Sequence, residues 1–203
     1  MISFDSIKNA KILDLGCNEG FFSFEMAKLG AKIVKGLDAD ELRIKKANFV
    51  KKQLNISNVD FLQADVYNEL SKELRYDFAL CLGFLHRIPS PYDFLNLIQQ
   101  RVDSILFEWK APPSEFPHSK TMLWDGVNKT NNKYSKAYFR ISINSLVEIM
   151  KDFGFTEFKV LDDNIKHRPL LLASRSNIKK VSVKTNKRFL YNKLFRRFFS
   201  DLK

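Results

Sequence analysis

Residues 12–38 read ILDLGCNEGFFSFEMAKLGAKIVKGLD, an apolar strand, a glycine-bearing turn, an amphipathic helix and a second strand that ends on an acid. The order predicts a nucleoside-binding site. Gly16 and Gly20 flank the point where the chain reverses from strand to helix, and the absence of a Cβ there lets backbone approach a ligand. The helix expected at 19–29 points its first amides at that ligand. Asp38 follows Gly16 by 22 residues, at the end of the next apolar run, where a carboxylate accepts hydrogen bonds from both hydroxyls of a ribose.

A dinucleotide site would need glycines at the first, third and sixth positions of the turn, so that a pyrophosphate can rest against the helix. The third position here is Asn18 and the sixth is Phe21. Without the middle glycine a pyrophosphate loses its nearest backbone approach, and a phosphate-free nucleoside fits better.

The run Asp14-Leu15-Gly16-Cys17-Asn18-Glu19-Gly20-Phe21-Phe22-Ser23 resembles motif I of the class I S-adenosylmethionine-dependent methyltransferases. The likeness continues beyond it. Asp38 matches the family's ribose-binding acid, and Gln63-Ala64-Asp65-Val66 matches the acid and neighbour that hold the adenine. The stretch from Tyr76 to His86 matches the fourth strand and its catalytic-face loop. Coverage runs over roughly residues 10–175, and Asn18 departs from the second glycine that many members carry. The resemblance implies S-adenosyl-L-methionine as cofactor, lined by Asp14, Gly16, Cys17, Asn18, Gly20, Asp38, Ala39, Asp65, Val66 and Leu82. It also implies a Rossmann-like α/β fold, a seven-stranded mostly parallel sheet with helices on both faces and an antiparallel C-terminal hairpin. The stretch 14–31 is similar as well to the turn of enzymes that modify wobble uridine in tRNA.

Composition agrees with one catalytic domain. The chain has 203 residues, 45% apolar and 28% charged, ordinary for a globular protein with a core of its own. Two cysteines, Cys17 and Cys81, form no disulfide framework and suit a reducing compartment. The first eleven residues lack the pattern of a secretory leader, and no run of 18 apolar residues occurs. A cytoplasmic protein is expected.

Short apolar runs at 11–15, 33–37, 59–63, 78–82 and 104–109 alternate with helical patterns near 20–29, 41–54, 67–74 and 91–100. Alternation of this kind predicts a parallel sheet covered on both faces. A further helix is expected over 142–153, stopped by Gly154, and strands at 156–161 and 169–173 should pair antiparallel.

Ligands of open parallel sheets lie beyond the carboxyl ends of the strands, so the chemistry belongs to the loops that follow them. After the fourth strand come His86 and Arg87, and after the fifth come Glu108, Trp109 and Lys110. Methyl transfer is an in-line displacement, in which a hydroxyl acceptor benefits from a nearby proton acceptor. His86 is the first candidate base, against the plainer reading of a loop histidine satisfied by backbone. Glu108 is the second, with Lys110 or Arg140 as alternative partners for its charge. Methyltransferases acting on exocyclic amines often carry Asn or Asp, two prolines and an aromatic after strand four. Cys81-Leu82-Gly83-Phe84 stands there instead and favours an oxygen acceptor. His86, His118 and His167 are too scattered for metal-ligand spacing, so no metal is expected.

The interval 111–141 is too long for an ordinary connection and reads as an acceptor lid. Its Trp124, Tyr134, Tyr138 and Arg140, with Arg87 and Trp109, are the candidate acceptor contacts, aromatic faces and polar groups suited to a sugar, a glycosylated metabolite or an unstacked nucleotide.

The chain carries a formal net charge of +11, of which residues 177–203 contribute nine basic residues against one acid. Leu190, Tyr191, Leu194, Phe195, Phe198 and Leu202 recur there at helical spacing. A basic amphipathic tail of this kind docks on the body or a partner protein, lies on an anionic membrane surface, or holds RNA phosphates. The domain boundary is therefore expected at residue 176. Together these readings predict an S-adenosylmethionine-dependent methyltransferase acting on oxygen of a small molecule or glycan precursor, with tRNA as alternative acceptor. A non-catalytic module that retains the cofactor pocket is the reading from a different class.

Overall fold

The computed structural model describes residues 7–112, 122–125, 138–162 and 168–176. Five strands alternate with helices over the first half of the chain. They are β1 (Lys11–Leu15), α1 (Phe21–Lys28), β2 (Ile33–Asp38), α2 (Glu41–Gln53), β3 (Val59–Gln63), α3 (Val66–Leu70), β4 (Tyr76–Leu82), α4 (Pro91–Gln99) and β5 (Val102–Glu108). Beyond them lie β6 (Met122–Asp125), β7 (Tyr138–Ile141), α5 (Ile143–Asp152), β8 (Glu157–Asp162) and β9 (Leu170–Ser174). The helices start where the residues can cap them. Asp40 accepts the amides of Leu42 and Arg43, Asp65 those of Tyr67 and Asn68, and Ser142 that of Ser145.

Seven strands form one sheet in the order β3-β2-β1-β4-β5-β9-β8, parallel from β3 to β5 and antiparallel at β9 and β8. This is the Rossmann-like arrangement that the sequence predicts. The apolar alternation along the strands explains how both faces are covered. Ile12, Phe78, Leu80, Leu106 and Leu172 pack with Phe24, Met26 and Ala27 of α1, while Leu13, Leu15, Ala79, Cys81, Phe107 and Leu171 pack with Leu70, Phe94, Ile98, Leu146 and Met150 of α3, α4 and α5.

The sequence leaves 111–141 as a lid without elements of its own. The structure places two strands inside it, β6 and β7, paired antiparallel from Met122 opposite Ile141 to Asp125 opposite Tyr138. Trp109 anchors the root of this pair to the end of β5, its indole N–H donating to the Ile141 carbonyl at 2.7 Å. Trp109 is fully buried and packs in the core cluster with Leu146, Met150 and Ile141.

Among the described residues no helix is long and apolar enough to cross a membrane, and no group of three His, Cys, Asp or Glu side chains is gathered as a metal would require.

Candidate active site

Parallel strands in register bring Leu15, Asp38, Gln63, Leu82 and Glu108 to one edge of the sheet. The chain runs outward from β1 to β2 and β3 on one side and to β4 and β5 on the other. Such a reversal opens a crevice between β1 and β4. The glycine turn lies on one side of it and the loop after β4 on the other.

The turn is built from left-handed residues. Gly16, Asn18 and Gly20 have φ of +67°, +53° and +86°. Asparagine tolerates this conformation, which explains how the departure at Asn18 is accommodated. A Cβ on Gly16 would stand 2.6 Å from the Phe84 ring, and one on Gly20 would stand 2.4 Å from Phe61. Phe84 comes from the loop after β4 and meets Phe94 edge-on with ring centroids 5.7 Å apart, so this loop rests directly on the glycine turn. Cys17 is buried in the turn, and burial pushes its thiol further up from its ordinary value.

Asp38 receives two backbone amides. Asn18 N donates to Oδ2 and Asp40 N to Oδ1, each at 3.0 Å. Every carboxylate oxygen has a further lone pair, so the ribose hydroxyls remain within its capacity. Asp65 spends Oδ1 on the cap of α3. Val66 is the first residue of that helix, and the Ala39 carbonyl accepts from the Gln63 amide at 3.4 Å. Residues missed by sequence reasoning complete the set. Ser23 donates its hydroxyl to Asp14 at 2.6 Å, and the acid is 2% exposed. Burial raises the Asp14 pKa to about 6, the Ser23 bond opposes the rise, and the charge of Asp38 adds to it. The left-handed turn at 16–20, a doubly held acid at Asp38 and a third carboxylate at Asp65 fit an adenosyl cofactor.

Across the crevice the residues after β4 form a single 3₁₀ turn, Leu85–Arg87. His86 is 5% exposed, and its Nδ1 accepts the Lys110 amide at 3.3 Å. That bond assigns the proton of a neutral ring to Nε2. Burial lowers the His86 pKa to about 3, and the charges of Arg168, Arg87, Lys110 and Arg140 press it down further. An imidazole in that state donates through Nε2 and accepts a proton poorly, a different character from the base the sequence reading offers.

Glu108 is also buried, and it pairs with neither Lys110 nor Arg140. Arg168 grips it with both Nε and Nη2, the latter at 3.1 Å. The partner is visible only once β9 is laid antiparallel on β5 with Leu170 opposite Glu108. Arg87 is exposed and donates Nε to the Gly83 carbonyl at 3.2 Å, and Arg140 is half-buried on β7, a strand that packs against the 85–87 turn. Trp124 and Tyr138 are placed by their backbone on the β6–β7 pair. Tyr134, His118, His167 and the 177–203 tail lie outside the described residues.

Comparison with known proteins agrees with this construction. A family model described as a methyltransferase domain matches residues 6–108. The tRNA U34 carboxymethyltransferase of Pasteurella multocida (strain Pm70) is 26% identical over 166 residues, 77% of this chain and 48% of that protein. The ubiquinone biosynthesis O-methyltransferase of Acinetobacter baylyi is 30% identical over 94 residues, 45% of this chain and 39% of that one. The chain thus spans about half the length of the tRNA-modifying relatives it matches. Among solved structures, the N-terminal domain of EvdMO1 with SAH bound superposes with a TM-score of 0.69 at 21% identity, over 85% of this chain and 76% of that one. With the motif match over half its length and the seven-stranded order of its sheet, the chain belongs to the class I S-adenosylmethionine-dependent methyltransferases.

Proposed function

We propose that the protein transfers a methyl group from S-adenosylmethionine to an oxygen of a small molecule or glycan precursor. The observation that carries this reading is the crevice between β1 and β4, with the doubly hydrogen-bonded Asp38 carboxylate on one side and the His86 loop, resting on Gly16 through Phe84, on the other. S-adenosylmethionine supplies an electrophilic methyl on a sulfonium when bound.

This chain's residues bind and orient. Asp38 accepts the ribose hydroxyls, Asp65 and Val66 hold the adenine edge, and the 16–20 turn with Asp14, Ala39 and Leu82 lines the remainder. On the acceptor side His86 lines the approach of the acceptor oxygen and Arg168 holds the Glu108 side chain in place; the O–CH3 bond forms as the S–CH3 bond breaks, and the proton of the acceptor hydroxyl passes to solvent water. Placing two reactants in line lowers the barrier by several kcal/mol, about 7 or more in well-oriented cases. The Cys81-Leu82-Gly83-Phe84 stretch, in place of an amide-holding motif, supports oxygen over an exocyclic amine.

The catalytic domain is assigned to residues 1–176, with 111–141 as acceptor lid and 177–203 as a basic tail, in a cytoplasmic protein that the tail tethers to a membrane surface or a partner. A second reading, RNA as acceptor, is favoured by the likeness to tRNA U34 carboxymethyltransferases and by the charge of the tail.

Calorimetry with S-adenosylmethionine tests the cofactor reading. Micromolar binding weakened at least about tenfold by Asp38→Ala supports it, on the scale of charge-assisted hydrogen bonds lost. Absence of binding, or binding unchanged in the variant, overturns it. Incubation of cell extract with methyl-labelled cofactor then separates the acceptors, label in small molecules supporting the first reading and label in tRNA the second.

A further inference from the structure

The helix α3 is five residues long, too short to stand on its own hydrogen bonds, and it carries Asp65 at its N-cap. Side chains tie it down from several elements. Tyr67 donates its hydroxyl to the Ser90 carbonyl at 3.1 Å, just ahead of α4. Arg101, just ahead of β5, donates Nε to the Leu70 carbonyl at 2.8 Å and Nη2 to the Ser71 carbonyl at 3.4 Å, which closes the C-terminal end of the helix. A further tie is ionic. Glu69 is 5% exposed, and its two carboxylate oxygens accept from Lys35 of β2 and from Lys72. Burial pushes this carboxyl up, but the bonds from the two lysines outweigh burial and hold it below its ordinary value, so the group is ionised.

Lys35 is an unusual residue for its place. It stands two before Leu37, on the face of β2 from which Leu37 packs with Val66 and Leu70, and strands of a parallel sheet are ordinarily apolar there. Two aliphatic side chains of similar volume commonly match or exceed a buried ion pair in stability, because removing two charges from water offsets most of their attraction. What the ion pair adds is direction. It fixes how α3 is turned against β2, and both its ends lie near the nucleoside acids in the chain. Lys35 precedes Asp38 by three residues, and Glu69 follows Asp65 by four, its amide donating to the Asp65 carbonyl at 3.1 Å. Asp65 spends Oδ1 on the amides of Tyr67 and Asn68, so the setting of the helix decides where Oδ2 is offered to a base.

We propose that Lys35 and Glu69 are positioning residues for the nucleoside, their ion pair setting the Asp65 carboxylate relative to Asp38 so that the pocket prefers a base with an exocyclic amine over its 6-oxo counterpart. The proposal rests on the cofactor reading for the roles of Asp38 and Asp65. A carboxylate accepts from an amine N–H but meets a carbonyl oxygen at the same place with no hydrogen to share, so the discrimination depends on where the carboxylate is held.

Calorimetry on the full chain tests it, comparing S-adenosylhomocysteine with S-inosylhomocysteine, in which a 6-oxo base replaces the adenine. Wild-type protein should prefer the adenosyl compound by at least about tenfold, and Glu69→Gln or Lys35→Met should each bring that preference below about threefold. Replacing both partners, Lys35→Met with Glu69→Leu, should give a protein that melts near the wild-type temperature and still lacks the preference, which a purely structural pair would leave intact. If the single variants melt early, this apolar pair decides. Asp65→Ser keeps a cap on α3 while removing the carboxylate, and adding Glu69→Gln to it should change the affinities no further. Glu148→Gln, in an exposed ion pair with Lys151 on α5, should leave the preference unmoved. A preference retained in the apolar pair overturns the proposal, as does a further loss when Glu69→Gln is added to Asp65→Ser. Equal binding of the two compounds by wild-type protein overturns it and leaves the cofactor reading standing, whereas binding of neither overturns both.

Discussion

Asp14 on β1 and His86 after β4 are both buried, and burial acts on them in opposite senses of pH. The Asp14 carboxyl, ordinarily near 3.8, titrates at about 6 in the fold. Between those values the folded chain holds a proton that the unfolded chain has lost, so its contribution to stability is complete below 3.8 and disappears as pH rises through 6. Replacing it with Asn removes a buried charge but also a partner for the cationic cofactor. Asp14→Asn should therefore raise the stability of the unliganded protein at pH 7.5 by about 1 kcal/mol, read by denaturant titration, while weakening S-adenosylmethionine binding about tenfold. His86, ordinarily near 6.5, is held at about 3. Between those values the unfolded chain takes up a proton that the folded chain refuses, so stability falls on acidification from 6.5 toward 3. His86→Gln should flatten that part of the stability profile. Before acceptor binds, kcat/KM should show no limb from this residue between pH 5 and 8; a His86-dependent limb there would restore it as an ordinary base.

At the scale of elements, the turn and the strap across the sheet make different demands. Gly16 has φ +67° and a Phe84 ring where a Cβ would go, so Gly16→Ala should cost about 1–3 kcal/mol of stability and displace the loop that carries His86. A thermal melt and a cofactor titration check both effects. Arg168 joins the approach to β9 to the end of β5 through Glu108, whose side chain is 3% exposed. Arg168→Ala leaves that carboxylate buried without its guanidinium, and a loss of about 3 kcal/mol is expected on denaturation. The double change with Glu108→Gln should recover much of it. The helices and central strands were legible from periodicity because each is a local pattern of apolar residues. The β6–β7 pair was not, since each strand is only four residues and its root depends on Trp109 finding the Ile141 carbonyl 32 residues away.

For the whole molecule, charge is concentrated at one end of the sequence. Deleting residues 177–203 takes the net charge from +11 to +3, so elution from a heparin column should move to markedly lower salt. If the tail is a tether, binding of S-adenosylmethionine should persist in the shortened protein; its loss together with a collapsed melting transition would show the tail docked as part of the fold.

By itself the sequence determined the alternation of strands and helices, the glycine turn and the acid 22 residues beyond it, because each arises from residues near one another in the chain. Those features suffice for the cofactor family. Tertiary structure alone decided that Glu108 belongs to Arg168, that Trp109 is core, that Phe84 closes on Gly16, and that His86 is buried with its Nδ1 on the Lys110 amide. Such pairings follow from strand register across the sheet and from which side chains lose water together, and neither is encoded in local spacing.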